Sequence, residues 1–152
     1  MLLIALLACV PHTASTTTTS HSSFLPPASG PQLPDLKALP WTEQASGLIY
    51  SITQEGQGAM PLPGQTVTLN YNGFLVEGPR FDSSYVRGQA FSYTAGKGMV
   101  IRGFEESILN MRPGEKRIVI IPPYLGYGEK GAGHMIPPNA TLVFELELIS
   151  AK

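Results

Sequence analysis

The sequence predicts an α+β domain in which an antiparallel sheet is wrapped on one short helix. Three observations predict this fold: alternating apolar residues recur in segments near both ends of the region after residue 47, one short segment has helical periodicity, and no internal repeat is present. The 16 Gly and 14 Pro residues among 152 favour a turn-rich β architecture over a helical bundle. A chain of this length has room for one ordinary domain and an extension.

Five segments are predicted strands: residues 48–53, 66–76, 91–94, 116–121 and 141–149. In the second segment, Val67, Leu69 and Tyr71 share one face, and polar residues occupy the other. In the last segment, four alternate positions are apolar and two glutamates lie between them. Both patterns are typical of a strand with one buried face.

One short segment is the predicted helix. Phe104, Ile108 and Met111 recur at spacings of four and three residues, which places them on one helical face. Two glutamates lie in the predicted first turn, where the helix dipole favours acids, and Pro113-Gly114 ends the pattern. This segment supplies the helix against which the sheet packs.

The N-terminal part of the chain differs in composition from the rest. Residues 1–10 form an apolar run that is too short to span a bilayer and resembles the core of a signal peptide. Residues 11–46 have the Ser/Thr- and Pro-rich composition of a flexible linker, and residues 47–152 form the predicted domain.

The run Leu6-Leu7-Ala8-Cys9 resembles a bacterial lipoprotein cleavage box, which makes Cys9 a candidate for lipidation. The sequence therefore predicts an exported bacterial protein that is either periplasmic or tethered to the membrane through Cys9. The alternative interpretation is an apolar N terminus without a targeting role.

Charge and cysteine content exclude several classes of function. The net charge of −1 provides neither the basic surface that nucleic acids require nor a polybasic patch for anionic lipids. The single cysteine excludes an internal disulfide framework and a multi-cysteine metal site. We therefore expect no nucleic-acid partner, no metal and no cofactor.

Conventional catalytic groups are scarce in the predicted domain. His134 is the only histidine there, and its Gly-rich surroundings favour a solvated loop residue over a metal ligand or the base of a nucleophile. Glu105 and Glu106 are adjacent on the predicted helix and point in different directions, which argues against an acid/base pair. Aromatic and branched residues next to turns are abundant instead, although any one of them is consistent with an ordinary core residue.

Seven short motifs follow one another in the domain: Tyr71-Asn72-Gly73, Phe81-Asp82-Ser83-Ser84, Val100-Ile101-Arg102-Gly103-Phe104, Met111-Arg112-Pro113-Gly114-Glu115, Ile121-Pro122-Pro123, Leu125-Gly126-Tyr127-Gly128 and Ile136-Pro137-Pro138-Asn139-Ala140-Thr141-Leu142. Their order and spacing resemble those of the FKBP-type peptidyl-prolyl cis/trans isomerases, with no forced gaps over roughly a hundred residues. One motif alone has little specificity, whereas seven in register are strong evidence for the family.

The resemblance implies an FKBP-like fold of five to six antiparallel strands curled around one short helix, with the active pocket between the helix and the concave face of the sheet. It implies five catalytic residues: Tyr71, Asp82, Ile101, Tyr127 and Phe144. It implies six substrate-binding residues: Phe81, Arg87, Phe91, Val100, Phe104 and Ile136. In this scheme Phe104 forms the floor of the pocket, and Arg87 pairs with Asp82 and orients it.

The chain departs from the family pattern at two positions. The floor residue, usually Trp, is Phe104 here, a smaller ring without the indole N–H. The resemblance then implies a looser pocket, an altered substrate preference and weaker macrolide binding. Asn72 stands where Thr is common, and we expect its side chain to face outward.

The implied activity is isomerisation of X–Pro bonds in exported polypeptides. Rotation about this bond breaks no σ bond and therefore needs no nucleophile, and an apolar pocket favours the twisted, less polar amide. The expected partners are Pro-containing polypeptides and macrolide ligands, and the expected state is a monomer. Two alternatives are a non-catalytic FKBP-like chaperone or peptide-binding module, and a structural surface lipoprotein without a pocket.

Overall fold

The structure, a computed structural model, describes Leu33 and residues 35–152 with the exception of Glu77. The predicted signal segment, including Cys9, lies outside these residues. The strands are β1 (Thr42–Glu43), β2 (Ile49–Gln54), β3 (Thr66–Leu75), β4 (Arg80–Ser83), β5 (Phe91–Thr94), β6 (Lys116–Ile121) and β7 (Leu142–Ala151). The α-helices are α1 (Ser84–Arg87) and α2 (Arg102–Leu109).

The strands form one antiparallel sheet in the order β1-β2-β6-β7-β3-β4. β3 is central, because it pairs with β7 along one edge and with both β5 and β4 along the other. The predicted α+β fold, an antiparallel sheet curled around a short helix, is confirmed. The described residues contain seven strands instead of five to six, since the short strands β1 and β4 also join the sheet.

The main core lies between the concave face of the sheet and α2. Val67, Leu69 and Tyr71 alternate along β3 and point into it, as their spacing predicts. Phe104 and Ile108 enter it from one face of α2. Removal of these apolar side chains from water is the main contribution that holds helix and sheet together.

Helix α2 approaches the sheet closely because Gly103 has no side chain. A Cβ at this position would lie 2.6 Å from Cγ2 of Ile121 in β6, well inside ordinary carbon–carbon contact. The helix begins after Ile101 and ends at Leu109, before the Pro113-Gly114 stop that the sequence indicates. No helix in the described part of the chain is long and apolar enough to cross a membrane.

A second apolar cluster lies on the convex face of the sheet. It contains three buried sheet residues together with partly buried residues from β6 and the segment before β1: Phe74, Ile118, Val143, Ile120, Leu33, Leu36, Leu39 and Trp41. Trp41 Nε1 donates a hydrogen bond to the Leu36 carbonyl oxygen over 2.9 Å. The structure thus differs from the predicted linker of residues 11–46 at its C-terminal end, because apolar side chains among the prolines fold that end onto the sheet.

Candidate active site

A cavity of about 170 Å³ opens between the start of α2 and the concave face of the sheet. It is lined by Tyr71, Phe81, Asp82, Phe91, Met99, Val100, Ile101, Phe104, Tyr127 and Phe144. Nine of the eleven site residues that the sequence indicates therefore meet at one place. The tenth lining residue, Met99, was missed, although it directly precedes the motif that begins at Val100.

Aromatic rings form the base of the cavity. Phe104 is 4% exposed, and its ring centroid lies 5.2 Å from that of Phe144 and 5.7 Å from that of Tyr71, both in edge-to-face contact. Phe81 meets Phe144 in the same manner at 5.6 Å. Edge-to-face pairs are the favoured arrangement of aromatic rings, so these contacts hold the base of the cavity in one shape.

Gly73 in β3 makes room for two of these rings. A Cβ there would lie 2.8 Å from atoms of both Phe81 and Phe144. Gly73 is paired with Phe144 in β7 and with Asp82 in β4. Glycine is therefore required at position 73, between β4 and β7, because any side chain there would displace the two rings.

Asp82 is held at the rim of the cavity by three donors. Its Oδ2 accepts a hydrogen bond from the Tyr71 hydroxyl over 2.5 Å, and its Oδ1 accepts one from the Ser83 backbone N–H over 2.8 Å. The Arg87 guanidinium forms an ion pair with Oδ1 and also donates to the Tyr71 hydroxyl oxygen over 2.8 Å. The Asp82 side chain is nevertheless 40% exposed, so the pair lies at the surface.

The two tyrosine hydroxyls of the cavity are held in their neutral form. Burial raises the pKa of Tyr71, and the hydrogen bond to Asp82 raises it further while Arg87 acts in the opposite direction. Burial also raises the pKa of Tyr127, and the negative charge of Asp82 adds to this effect. Both hydroxyls keep their proton at neutral pH, so Tyr127, which is 39% exposed, can donate a hydrogen bond to a bound molecule.

Comparison with known proteins identifies the family of this chain. The model of the family described as "FKBP-type peptidyl-prolyl cis-trans isomerase" matches residues 58–149. The chain belongs to this family. The chain is an FKBP-type peptidyl-prolyl cis-trans isomerase, as the seven motifs indicate.

Individual FKBP relatives agree with this assignment. "FK506-binding protein 1" of Dictyostelium discoideum is 48% identical over 106 residues, which is 70% of this chain and 99% of that protein. The crystal structure of AtFKBP13 superimposes with a TM-score of 0.71 at 36% identity, covering 74% of this chain and 99% of that one. The crystal structure of FkpA from Escherichia coli gives a TM-score of 0.69 at 40% identity over 74% of this chain, but this spans only 51% of the FkpA chain.

Two of the eleven residues assigned from the FKBP resemblance do not line the cavity. Ile136 is 6% exposed and packs in the main core, where its backbone exchanges two hydrogen bonds with Ala132. Its assignment to the substrate-binding wall stays a prediction, since its side chain lies in the main core and does not line the cavity. Arg87 is exposed and reaches the cavity only through Asp82 and Tyr71.

Asn72 points away from the FKBP cavity, as expected, but it is fully buried. Its amide Nδ2 donates to Glu145 Oε2 over 2.9 Å, and its Oδ1 accepts from the Ser83 hydroxyl over 2.5 Å. Neighbouring strands thus satisfy the polar group at a position that the alternation pattern would leave to water.

The other candidate groups have structural contacts. Glu105 Oε1 accepts from the Gly96 N–H over 2.7 Å, and Glu106 Oε1 accepts from the Ser46 hydroxyl over 2.6 Å. The two glutamates thus diverge to different partners. His134 is exposed in the loop between Ala132 and Ile136.

Proposed function

We propose that the aromatic cavity lowers the barrier to X–Pro rotation by binding the twisted amide more tightly than the planar one. This barrier of about 18–20 kcal/mol arises from amide resonance, and crossing it requires no bond to break. The supporting observation is the edge-to-face cluster of Phe104, Tyr71 and Phe144 at the base of the cavity. The twisted amide is less polar than the planar one, so an apolar site that excludes water stabilises the transition state relative to the ground state.

The rings suggest where a substrate lies. We place a proline ring on Phe104, between Tyr71 and Phe144, with the X–Pro amide toward the mouth of the cavity. Ile101 is the residue that caps the start of α2, and N–H groups at a helix start have no acceptor within the helix. We assign the Ile101 N–H and the Tyr127 hydroxyl as donors to substrate carbonyl oxygens, which strengthens binding of the reacting unit.

Asp82 is a positioning residue in this proposal. Both of its carboxylate oxygens already accept hydrogen bonds from Tyr71 and Ser83, and Arg87 balances its charge. A carboxylate with this set of partners has little capacity left for a substrate. Its contribution is to hold the Tyr71 ring against Phe104, and Arg87 supports it from outside the cavity.

The Tyr127→Phe variant tests the proposed donor. We expect kcat/KM for a Leu-Pro tetrapeptide to fall about three- to tenfold, the effect of one lost hydrogen bond. Tyr124→Phe is the matched control, because its hydroxyl donates to the Ser46 carbonyl oxygen over 2.9 Å and Tyr124 does not line the cavity. Equal activity of the two variants would remove Tyr127 from the mechanism. No acceleration by the wild-type protein at micromolar concentration would leave only a peptide-binding module.

The same cavity is the proposed macrolide site. Several relatives are named FK506-binding proteins. A macrolide that packs against Tyr71, Phe104 and Phe144 excludes a proline substrate from the cavity. FK506 is therefore expected to inhibit the isomerase competitively. Inhibition that raises no apparent KM would place the macrolide elsewhere.

We further propose that the chain acts on exported polypeptides. The support is the sequence of residues 1–10, an apolar run that ends in the Leu6-Leu7-Ala8-Cys9 box. Slow prolyl isomerisation limits the folding of many chains, so an isomerase is useful wherever polypeptides arrive unfolded. Mass spectrometry of the mature N terminus in a bacterial host tests this: a lipidated Cys9 supports a membrane tether, a shortened polar N terminus supports secretion, and an intact Met1 contradicts both.

A further inference from the structure

A second, open depression of about 410 Å³ lies beside the aromatic cavity. Its wall is formed by the loop before α2 and by one side of that helix, with Gly96, Gly98, Val100, Arg102, Glu105 and Leu109 among the lining residues. Val100 lines both the cavity and the depression. The two are therefore neighbouring parts of one continuous surface.

Met99 lies in the chain between a residue that lines the depression and one that lines both the cavity and the depression. It lines the cavity, while its neighbour Gly98 lines the depression and Val100 lines both. Met99 is 62% exposed, and covering an exposed apolar side chain with another apolar group is favourable in free energy. A polypeptide that leaves the cavity on this side covers Met99 on its way.

The loop between β5 and α2, which contains Met99, is bonded to α2. Glu105 Oε1 accepts hydrogen bonds from the Gly96 N–H over 2.7 Å and from the Tyr93 hydroxyl over 3.4 Å. The helix thus holds the start of the loop at Gly96, and the depression is formed before any ligand arrives. A preformed site loses less conformational entropy on binding than a site that has to be ordered.

The depression offers a ligand mainly apolar contact. Glu105 is engaged with the loop, and Glu106, on the same wall, accepts a hydrogen bond from the Ser46 hydroxyl over 2.6 Å. The positive charge of Arg102 offsets part of the negative charge of these two carboxylates. Val100 and Leu109 supply the branched apolar surface of this wall.

We propose that this depression is a subsite for the substrate chain on one side of the X–Pro unit, and that it takes an apolar side chain a few residues from the proline. This inference rests on the proposed function of the aromatic cavity. An extended chain advances about 3.3 Å per residue, so a residue two or three positions from the proline reaches a neighbouring site. Folding buries most large apolar side chains, so an unfolded polypeptide can present one to the subsite, whereas a tetrapeptide is too short to reach it.

The test compares a Leu-Pro tetrapeptide with two longer peptides that contain the same core and one Phe, placed three residues before or three residues after the proline. For the wild-type protein we expect kcat/KM about fivefold higher for one of the longer peptides, as for a partly buried apolar side chain. The Gly98→Asn variant fills the depression. Gly98 has φ 68°, which Asn tolerates, and nothing lies within 4 Å of the added Cβ.

In Gly98→Asn the gain for the longer peptide should disappear, while kcat/KM for the tetrapeptide stays within about twofold of wild type. Gly114→Asn is the matched control, because Gly114 has φ 82°, equally open surroundings and no part in either cavity. The subsite is overturned if neither longer peptide gains or if Gly98→Asn keeps the wild-type preference. The Kd values of the same peptides, measured by fluorescence anisotropy, should show the same preference for the longer peptide and the same loss of it in Gly98→Asn. This binding measurement tests the subsite even if the protein does not isomerise the tetrapeptide and the proposed mechanism fails.

Discussion

The Tyr71 hydroxyl donates a hydrogen bond to Asp82 Oδ2 over 2.5 Å and at the same time accepts one from Arg87 Nη2 over 2.8 Å. The ring of Tyr71 meets Phe104 edge to face at the base of the cavity. One side chain therefore connects the charged pair at the rim with the apolar floor. Asp82 and Arg87 act on the cavity through the position of this ring.

Replacement of Tyr71 by Phe keeps the ring and removes the hydroxyl. We expect kcat/KM to fall about tenfold, because Asp82 and Arg87 lose a partner worth roughly 1.4 kcal/mol and the ring loses its fixed position. Tyr85→Phe is the control, since the Tyr85 hydroxyl also donates to a carboxylate, that of Glu147, over 2.8 Å but away from the cavity. Equal loss in both variants would show that the effect is not specific to the site.

Periodicity alone predicts the long elements of this fold. Apolar and polar positions alternate from Thr66 to Asn72 in β3 and from Phe144 to Leu148 in β7, which is enough to identify both strands, although consecutive residues are buried at one end of each strand, where both faces of the sheet are covered. The ring cluster on Phe104 required more information, because no periodicity distinguishes a cavity wall from a core residue. The register of the seven motifs provided it, and nine of the eleven residues that it indicates line the cavity.

The elements that the sequence does not reveal are the short ones and those whose placement depends on distant partners. β1 has two residues and α1 has four, too few for either period to register. Trp41 lies in a Pro-rich stretch of linker composition, yet it is held by the convex face of the sheet. Asn72 is buried and bonded to Glu145, which is 73 residues away, and to Ser83 on the neighbouring strand.

Activity should depend weakly on pH. The pKa values of Tyr71 and Tyr127 are raised above the ordinary value of 10.0 by burial and by the charge of Asp82, so both hydroxyls stay protonated throughout the neutral range. We expect kcat/KM to be constant within about twofold from pH ~6 to ~9. A peptide isomerisation assay in buffers of constant ionic strength measures this, and a steep bell-shaped profile would indicate acid/base catalysis instead.

The Glu145→Gln variant should be more stable than wild type at pH 7. Burial raises the pKa of Glu145 above its ordinary 4.5, although the hydrogen bond from Asn72 and the charge of Arg80 oppose this. A raised pKa in the folded state gives a contribution to stability that is complete below pH 4.5 and is lost as pH rises through the folded value. At neutral pH the native state therefore holds an unfavourable charge, which Gln removes while its amide oxygen still accepts from Asn72.

Urea denaturation at two pH values checks this expectation. The midpoint of Glu145→Gln should exceed that of wild type at pH 7, and the difference should shrink at about pH 4, where the carboxyl takes up its proton. Glu147→Gln is the control, because Glu147 forms an ion pair with Lys116 over 3.4 Å and should gain nothing from neutralisation. A lower midpoint for Glu145→Gln at pH 7 would mean that the charge itself stabilises the fold.

The Phe104→Trp variant should bind FK506 more tightly than wild type. Phe104 lies at the base of a cavity of about 170 Å³, so a larger ring has space toward the ligand side and offers more apolar contact there. We expect roughly a three- to tenfold lower inhibition constant, measured by competition with a Leu-Pro tetrapeptide. Phe104→Leu is the control with a smaller side chain, and it should weaken inhibition by FK506. An unchanged inhibition constant in both the Trp and the Leu variant would exclude Phe104 as the floor of the macrolide site.

Replacement of Trp41 by Ala should destabilise the fold without affecting catalysis. Trp41 packs on the convex face of the sheet and donates a hydrogen bond to the Leu36 carbonyl oxygen, and the loss of a partly buried indole costs about 2 kcal/mol. The cavity lies on the opposite face, so kcat/KM should remain within about twofold of wild type. Far-UV circular dichroism during urea denaturation is the measurement, because Trp41 is the only tryptophan and its own fluorescence is lost. Leu62→Ala is the control, because this residue is 66% exposed and little change is expected. An unchanged urea midpoint for Trp41→Ala would mean that the segment before β2 contributes nothing to the stability of the domain.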